Sequence, residues 1–307
     1  MPIAIADTIR PSWDLVADVQ LLFQYRFMQN AFLAGTLVAV VAGIVGYFMV
    51  LRSQSFAGHA LANVGFAGAT GAILIGIPPA AGLFVAGVLA AAGIQVLHLG
   101  ERRSRQTDIA VGAILTASLG LGFLFLYLSS TEYAANVYNV LFGNVLGISS
   151  NDVSWILWSS LAAVVIFVVV GRPLFFASID PDVAAARGVP VGTLALSFLL
   201  LLALVVSEAV QVIGVLLIFS LLVTPAAIAQ QLFARPALAI AASIALSVSF
   251  IWLGLAVGYF SLYPVGFFVT TIAFGTYALV RGVRFALRSG LVRNPPVPQT
   301  AMEGEAV

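Results

Sequence analysis

The chain has no cysteine and no lysine, only two histidines, and 8% charged residues among its 307. Without cysteine, disulfide frameworks, thiolate metal centres and cysteine nucleophiles are excluded. The scarcity of charge excludes more: with 62% hydrophobic residues and a mean hydropathy of +1.11, the chain cannot clothe a soluble domain in polar surface. A GxxxxGK[ST] phosphate loop is also missing, so the chain is not expected to hydrolyse ATP itself. There is no room for a second, soluble domain, and no internal repeat of the kind many secondary transporters carry. Met1–Gln20 contains acidic residues and precedes any apolar run, so it is not expected to act as a cleavable signal peptide.

What is present is apolar sequence in runs of about 20 residues, each enough to cross a hydrocarbon core of roughly 30 Å. The runs recur from Phe27 to Leu287 with short polar breaks, and they lack the alternation that barrel strands would show. The expected fold is therefore an all-α polytopic membrane protein. Its spans are Phe27–Leu51, Ser55–Ile77, Ala80–Leu99, Ile109–Leu128, Trp155–Gly171, two within Val191–Leu232, then Pro236–Gly258 and Val265–Val280. That makes nine, or eight if the long tract is kinked differently. Val191–Leu232 is expected to cross twice because Arg187 and Arg235 flank it on one side, with a tight turn at Ser207–Gln211.

The arginines set the orientation. Glu101–Asp108, ERRSRQTD, is the densest charged loop between spans and marks the cytoplasmic side. Eleven of the thirteen arginines then fall on that side, with the N-terminus outside and the C-terminus inside. The expected localisation is the cytoplasmic membrane. Residues 1–26 form an interfacial segment in which Asp14–Phe23 has helical periodicity, 27–287 the membrane domain, and 288–307 a flexible basic and proline-rich tail. Ser129–Asp152 is external, and its middle, VYNVLFGNVLGISS, is apolar enough to dip back into the membrane where neighbouring protein must satisfy its backbone.

Two stretches carry chemistry. In Ser55–Ala72, SFAGHALANVGFAGATGA, His59 and Asn63 are four residues apart on one helix face amid Gly and Ala, which permit close approach of neighbouring helices. Either the pair lines a pathway and touches a partly desolvated cation, or it hydrogen-bonds across packed helices and binds nothing. In Arg172–Pro190, Asp180 reads as an N-cap, Pro181 as the first helical residue and Gly188 as a left-handed stop before Pro190. Such a capped miniature helix presents a rigid knob to a soluble partner or lies on the membrane surface. Glu208 attracts cations at an outer mouth or is a solvated turn residue, and Pro225 kinks its helix for packing or beside a pathway.

Asp180, Pro181, Ala184, Gly188, Val189, Pro190 and Val191 stand in the places of a pattern close to DPxxAxxxGVPV. By that loop the chain resembles the permease subunits of ABC-type zinc/manganese importers, in which it is the coupling helix received by the ATPase. Phe27–Arg52, the segment Leu141-Phe142-Gly143 with Leu146-Gly147, and VIGVLLIFSLLVTPAAIA at Val212–Ala229 are similar to further parts of the family.

The resemblance implies an ABC importer permease fold, with Asp180, Pro181, Asp182, Ala184, Arg187 and Gly188 coupling to an ATPase and His59, Asn63, Glu208 and Pro225 lining the pathway. The partners it implies are an ABC ATPase subunit, an extracytoplasmic metal-binding protein, a second copy of the chain and a divalent metal substrate, zinc or manganese. No cofactor and no nucleic acid are expected. The family's second span, near GDALSHAxxPG, is altered here: His59 stands for the Asp and Asn63 for the His. His59 can ligate a first-row cation through a neutral imidazole nitrogen, whereas an Asn amide is a poor zinc ligand. An ion-coupled secondary transporter and a non-transporting scaffold are the alternatives.

Overall fold

The computed structural model describes residues 15–98, 104–129, 140–215, 217–261 and 263–291. Its helices are α1 Leu15–Gln24, α2 Arg26–Leu51, α3 Ser55–Leu74, α4 Pro79–His98, α5 Ser104–Leu128, α6 Ser150–Ile179, α7 Pro181–Ala186, α8 Val191–Ile213, α9 Ile218–Leu232, α10 Pro236–Tyr259 and α11 Val265–Leu291. One turn of 3-10 helix lies at Val145–Gly147, and no strand occurs among the described residues. The protein is an all-α polytopic membrane protein.

Seven helices, α2, α4, α5, α6, α8, α10 and α11, are long and apolar enough to cross a membrane. The other two expected spans fall short for different reasons. α3 has 20 residues, but His59, Asn63 and its glycines lower its hydropathy. α9 has 15 residues, and at 1.5 Å per residue it covers only about 22 Å. The nine expected segments are thus all helical, and seven of them qualify as spans by length and composition.

α2 and α8 form the interior: 67% and 72% of their apolar windows are buried, against 11% to 33% for the other five spans. α10, α9 and α6 pack on α2, while α4 and α6 pack on α8 and α3 sits against α4 and α5. The small residues of α3 do what their size allows: a Cβ on Gly68 would collide with the Gly82 carbonyl of α4.

Chain connectivity gathers the ends bearing Arg52, Arg172, Arg187, Arg235, Arg281 and Arg284, here termed the arginine end. The Arg52 Nη1 donates to the Ser178 hydroxyl at 3.1 Å and its guanidinium lies 5.4 Å from the Phe198 ring centre. These contacts tie the ends of α2, α6 and α8 together.

Three expectations are corrected. The tight turn is not at Ser207–Gln211: α8 continues through those residues to Ile213 and ends at Gly214, whose φ is +81°, and α9 begins at Ile218. Gly143, φ +76°, packs its backbone on Gly214, so side chains on either would prevent this crossing. α6 runs on through Pro173 to Ile179, so the first half of the expected loop 172–190 is helical. α11 extends to Leu291, which makes the start of the expected tail helical; residues 292–307 lie outside the described residues, as do 1–14, 99–103 and 130–139.

The apolar segment before α6 is housed in protein as its composition requires. Asn30 of α2 donates to the Ile148 carbonyl at 3.1 Å, and the Val215 N–H donates to the Val140 carbonyl at 3.2 Å. α6 then starts in a capping box in which the Ser149 hydroxyl accepts from the Asp152 N–H and Asp152 accepts from the Ser149 N–H.

Candidate functional site

The α3 pair is built within one helix. Asn63, 6% exposed, donates from Nδ2 to the His59 carbonyl at 2.9 Å and lies 3.3 Å from His59 Nε2. With Nε2 accepting from the amide, the ring proton sits on Nδ1. That atom is buried and has no hydrogen-bond partner. The ring meets the edge of Phe219 with centres 5.2 Å apart, and a void of about 10 Å³ beside it is bounded by Met49, Gly58, Phe219 and Leu222. His59 therefore faces the junction of α2, α3 and α9, and its pairing with Asn63 is intrahelical rather than across helices.

Pro225 is buried in α9. As a proline it cannot donate to the Leu221 carbonyl four residues back, and the Ser247 hydroxyl of α10 donates to that carbonyl instead, at 3.2 Å. The Thr224 hydroxyl donates to the Phe219 carbonyl at 3.1 Å. The proline thus leaves free a helix carbonyl two residues after Phe219, the residue that His59 touches.

Glu208 is elsewhere. It is 0% exposed, and the Ser160 hydroxyl of α6 donates to its Oε2 at 2.9 Å; Oε1 is buried without a partner. The reading of Glu208 as a solvated turn residue fails with the turn itself. Its neighbour Ser207 donates to the Leu83 carbonyl of α4 at 3.2 Å. One helical step further along α8, Gln211 lines a cavity of about 300 Å³ with Asn144, Asp152 and Ile156. A second cavity, of about 490 Å³, shares Asp152, Ile156 and Gln211 and adds Ser159. Glu208 and His59 hydrogen-bond to different helices, and among the described residues no three His, Asp or Glu side chains converge.

Asp152, Asn144, Ser159 and Ser160 escaped the sequence reading. Asp152 was legible only as an external charge, and nothing in the spacing pairs a serine with an acid 48 positions away.

At the arginine end the expected miniature helix is present. Asp180 accepts from the Val183 N–H at 2.9 Å, Pro181 is the first helical residue, and Gly188 has φ +80°. The Val189 N–H closes the end on the Ala184 carbonyl at 3.0 Å. Ala184 is 0% exposed and anchors α7 to the bundle; Asp180, Asp182, Arg187 and Gly188 are exposed. Ile179 and Val183, 64% and 44% exposed, add an apolar surface beside the two acids.

Comparison with known proteins agrees with this architecture. The chain is 32% identical over 214 residues to the manganese transport system membrane protein MntC of Halalkalibacterium halodurans, covering 70% of this chain and 72% of the relative. It is 30% identical over 207 residues to the chelated iron transport system membrane protein YfeD of Yersinia pestis, covering 67% and 68%. Among solved structures, PsaBC from Streptococcus pneumoniae in complex with Fab superposes with a TM-score of 0.77 at 27% identity, covering 87% of this chain and 95% of that one. Residues 24–283 match the ABC 3 transport family. The chain belongs to the ABC 3 transport family.

Proposed function

We propose that the chain is the permease subunit of an ATP-binding-cassette importer that moves a divalent metal ion across the cytoplasmic membrane. The observation that carries this reading is α7: a helix too short to be stable alone, capped at both ends, anchored through Ala184, and otherwise exposed at the arginine end. An ATPase docked on Asp180–Gly188 would push on α6 and α8 together, because α7 is joined to both. Arg52 would pass that motion to the end of α2 and so to α3, which begins three residues later. The arginine end is then cytoplasmic.

Manganese is the substrate favoured by the first relative, a manganese transport system membrane protein, and the weak donor set of α3 does not favour zinc. His59 carries its ring proton on Nδ1 and would ligate through Nε2 once the Asn63 amide releases it, and an Asn in place of the second ligand makes a tight zinc site unfavourable. His59 and Asn63 line the pathway, Pro225 opens α9 beside it, and two copies of the chain enclose it. An extracytoplasmic metal-binding protein delivers the ion to the opposite end.

The test is co-purification with an ABC-importer ATPase subunit co-expressed with this chain. Asp180→Arg, or deletion of Asp180–Gly188, is expected to release the ATPase while the permease stays monodisperse in detergent. Retention of the ATPase by both variants would refute the docking role.

A further inference from the structure

Glu208 is the single buried acid among the described residues, and no base accompanies it. The spans packed against α8 carry no charged side chain at its depth. α4 has none between Pro79 and His98, and α2 none between Arg26 and Arg52; α6 has Asp152 at its start and Arg172 near its far end; α3 has only His59. A buried carboxylate oxygen without donor or counter-charge costs several kcal/mol. Its surroundings are nonetheless arranged in oxygen. The Ser160 hydroxyl holds Oε2, and its neighbour Ser159, whose hydroxyl donates to the Trp155 carbonyl at 2.9 Å, lines the larger cavity. On α8, Gln211 follows Glu208 by three residues and reaches both cavities. On α6, Ile156 and Asp152 lead by four-residue steps from Ser160 into the same space. Glu208 and Ser160 line neither cavity; each stands one helical step or less behind a residue that does, Gln211 on α8 and Ser159 on α6.

We infer that Glu208, with Ser159, Ser160 and Gln211, is a binding site for a hard divalent cation, entered from the cavities lined by Asp152 and Asn144. An all-oxygen donor set of this kind suits manganese, magnesium or calcium over zinc. The inference rests on the proposed import function for its purpose. It would place the membrane-buried negative charge that a divalent ion requires on α8, in a chain whose α3 carries no carboxylate. The ion would meet this site before the His59–Asn63 pair on its way to the arginine end.

The experiment measures manganese binding to the purified permease alone, without ATPase or binding protein, from the loss of the free-ion electron paramagnetic resonance signal. Wild type is expected to take up manganese, Glu208→Gln to lose this site, and Ser160→Ala or Gln211→Ala to bind about tenfold more weakly, in the range seen when a supporting ligand group is removed. Should Glu208→Gln aggregate, the serine and glutamine variants decide. Absence of binding by wild type, or binding by these variants equal to wild type, would overturn the site. Because no ATPase is present, either result is independent of the docking test above.

Discussion

Two polar sites in the membrane helices are satisfied in opposite ways. His59 and Asn63 are partners within α3, four residues apart, and leave one ring nitrogen facing the α2–α9 junction. Glu208 finds its partner on another helix, Ser160 of α6, and leaves one carboxylate oxygen facing inward. The first arrangement is fixed by helical spacing and persists if the neighbours move. The second exists only while α6 and α8 stay in register. In the proposed mechanism, a push on α6 and α8 through α7 would act on Glu208 directly and on His59 through Arg52 and α2.

Variants can break this contrast. The largest effect is expected from Glu208→Leu combined with Ser160→Arg, which buries an unpaired cation between α6 and α8. Loss of about 3–5 kcal/mol, read as collapse of the folded peak in size-exclusion chromatography, checks that the interface is as tight as the burial implies. Next, His59→Ala should lower metal uptake by at least about tenfold while permease and ATPase still co-purify; uptake at the wild-type rate would reduce His59 to a packing residue. Ser160→Ala removes a hydrogen bond to a charged or ionisable group and should cost about 1.5–3 kcal/mol in thermal stability. Asn63→Ala removes an intrahelical bond from an amide and should cost less, about 0.5–1.5 kcal/mol. An order reversed between these last two would show that the cross-helix bond is not the stronger constraint. The smallest effect, about 1 kcal/mol and confined to α7, is expected for Asp180→Ala and is read by hydrogen exchange at the amides of Val183 and Ala184.

The same contrast explains what the sequence made legible. The caps of α7 were readable because Asp180, Pro181 and Gly188 act on backbone within a few residues. His59 and Asn63 were readable as a pair for the same reason, although the intrahelical bond between them was not. The turn after α8 was misplaced because Ser207, Glu208 and Gln211 are polar residues in an apolar tract, which is the usual mark of a turn. Here each is accounted for by tertiary structure: Leu83 accepts from Ser207, Ser160 donates to Glu208, and Gln211 lines a cavity. The true break, Gly214, was in plain view as the glycine after the last periodic residue, but the close backbone approach that leaves no room for a side chain there comes from Gly143, seventy-one positions earlier in the chain. The expected span ended at Gly171, before the polar stretch, yet α6 passes through Pro173 to reach Ile179 and set α7 in place.

The central claim is that an ATPase acting on α7 drives a divalent metal through this chain. The most direct measurement is uptake of radioactive manganese by cells lacking the chain and complemented with wild type or with the form deleted for Asp180–Gly188. The account predicts ATP-dependent uptake restored by wild type and not by the deletion, with both proteins present in the membrane at equal levels. Uptake by the deleted form at the wild-type rate, or uptake in cells lacking the chain altogether, would contradict it.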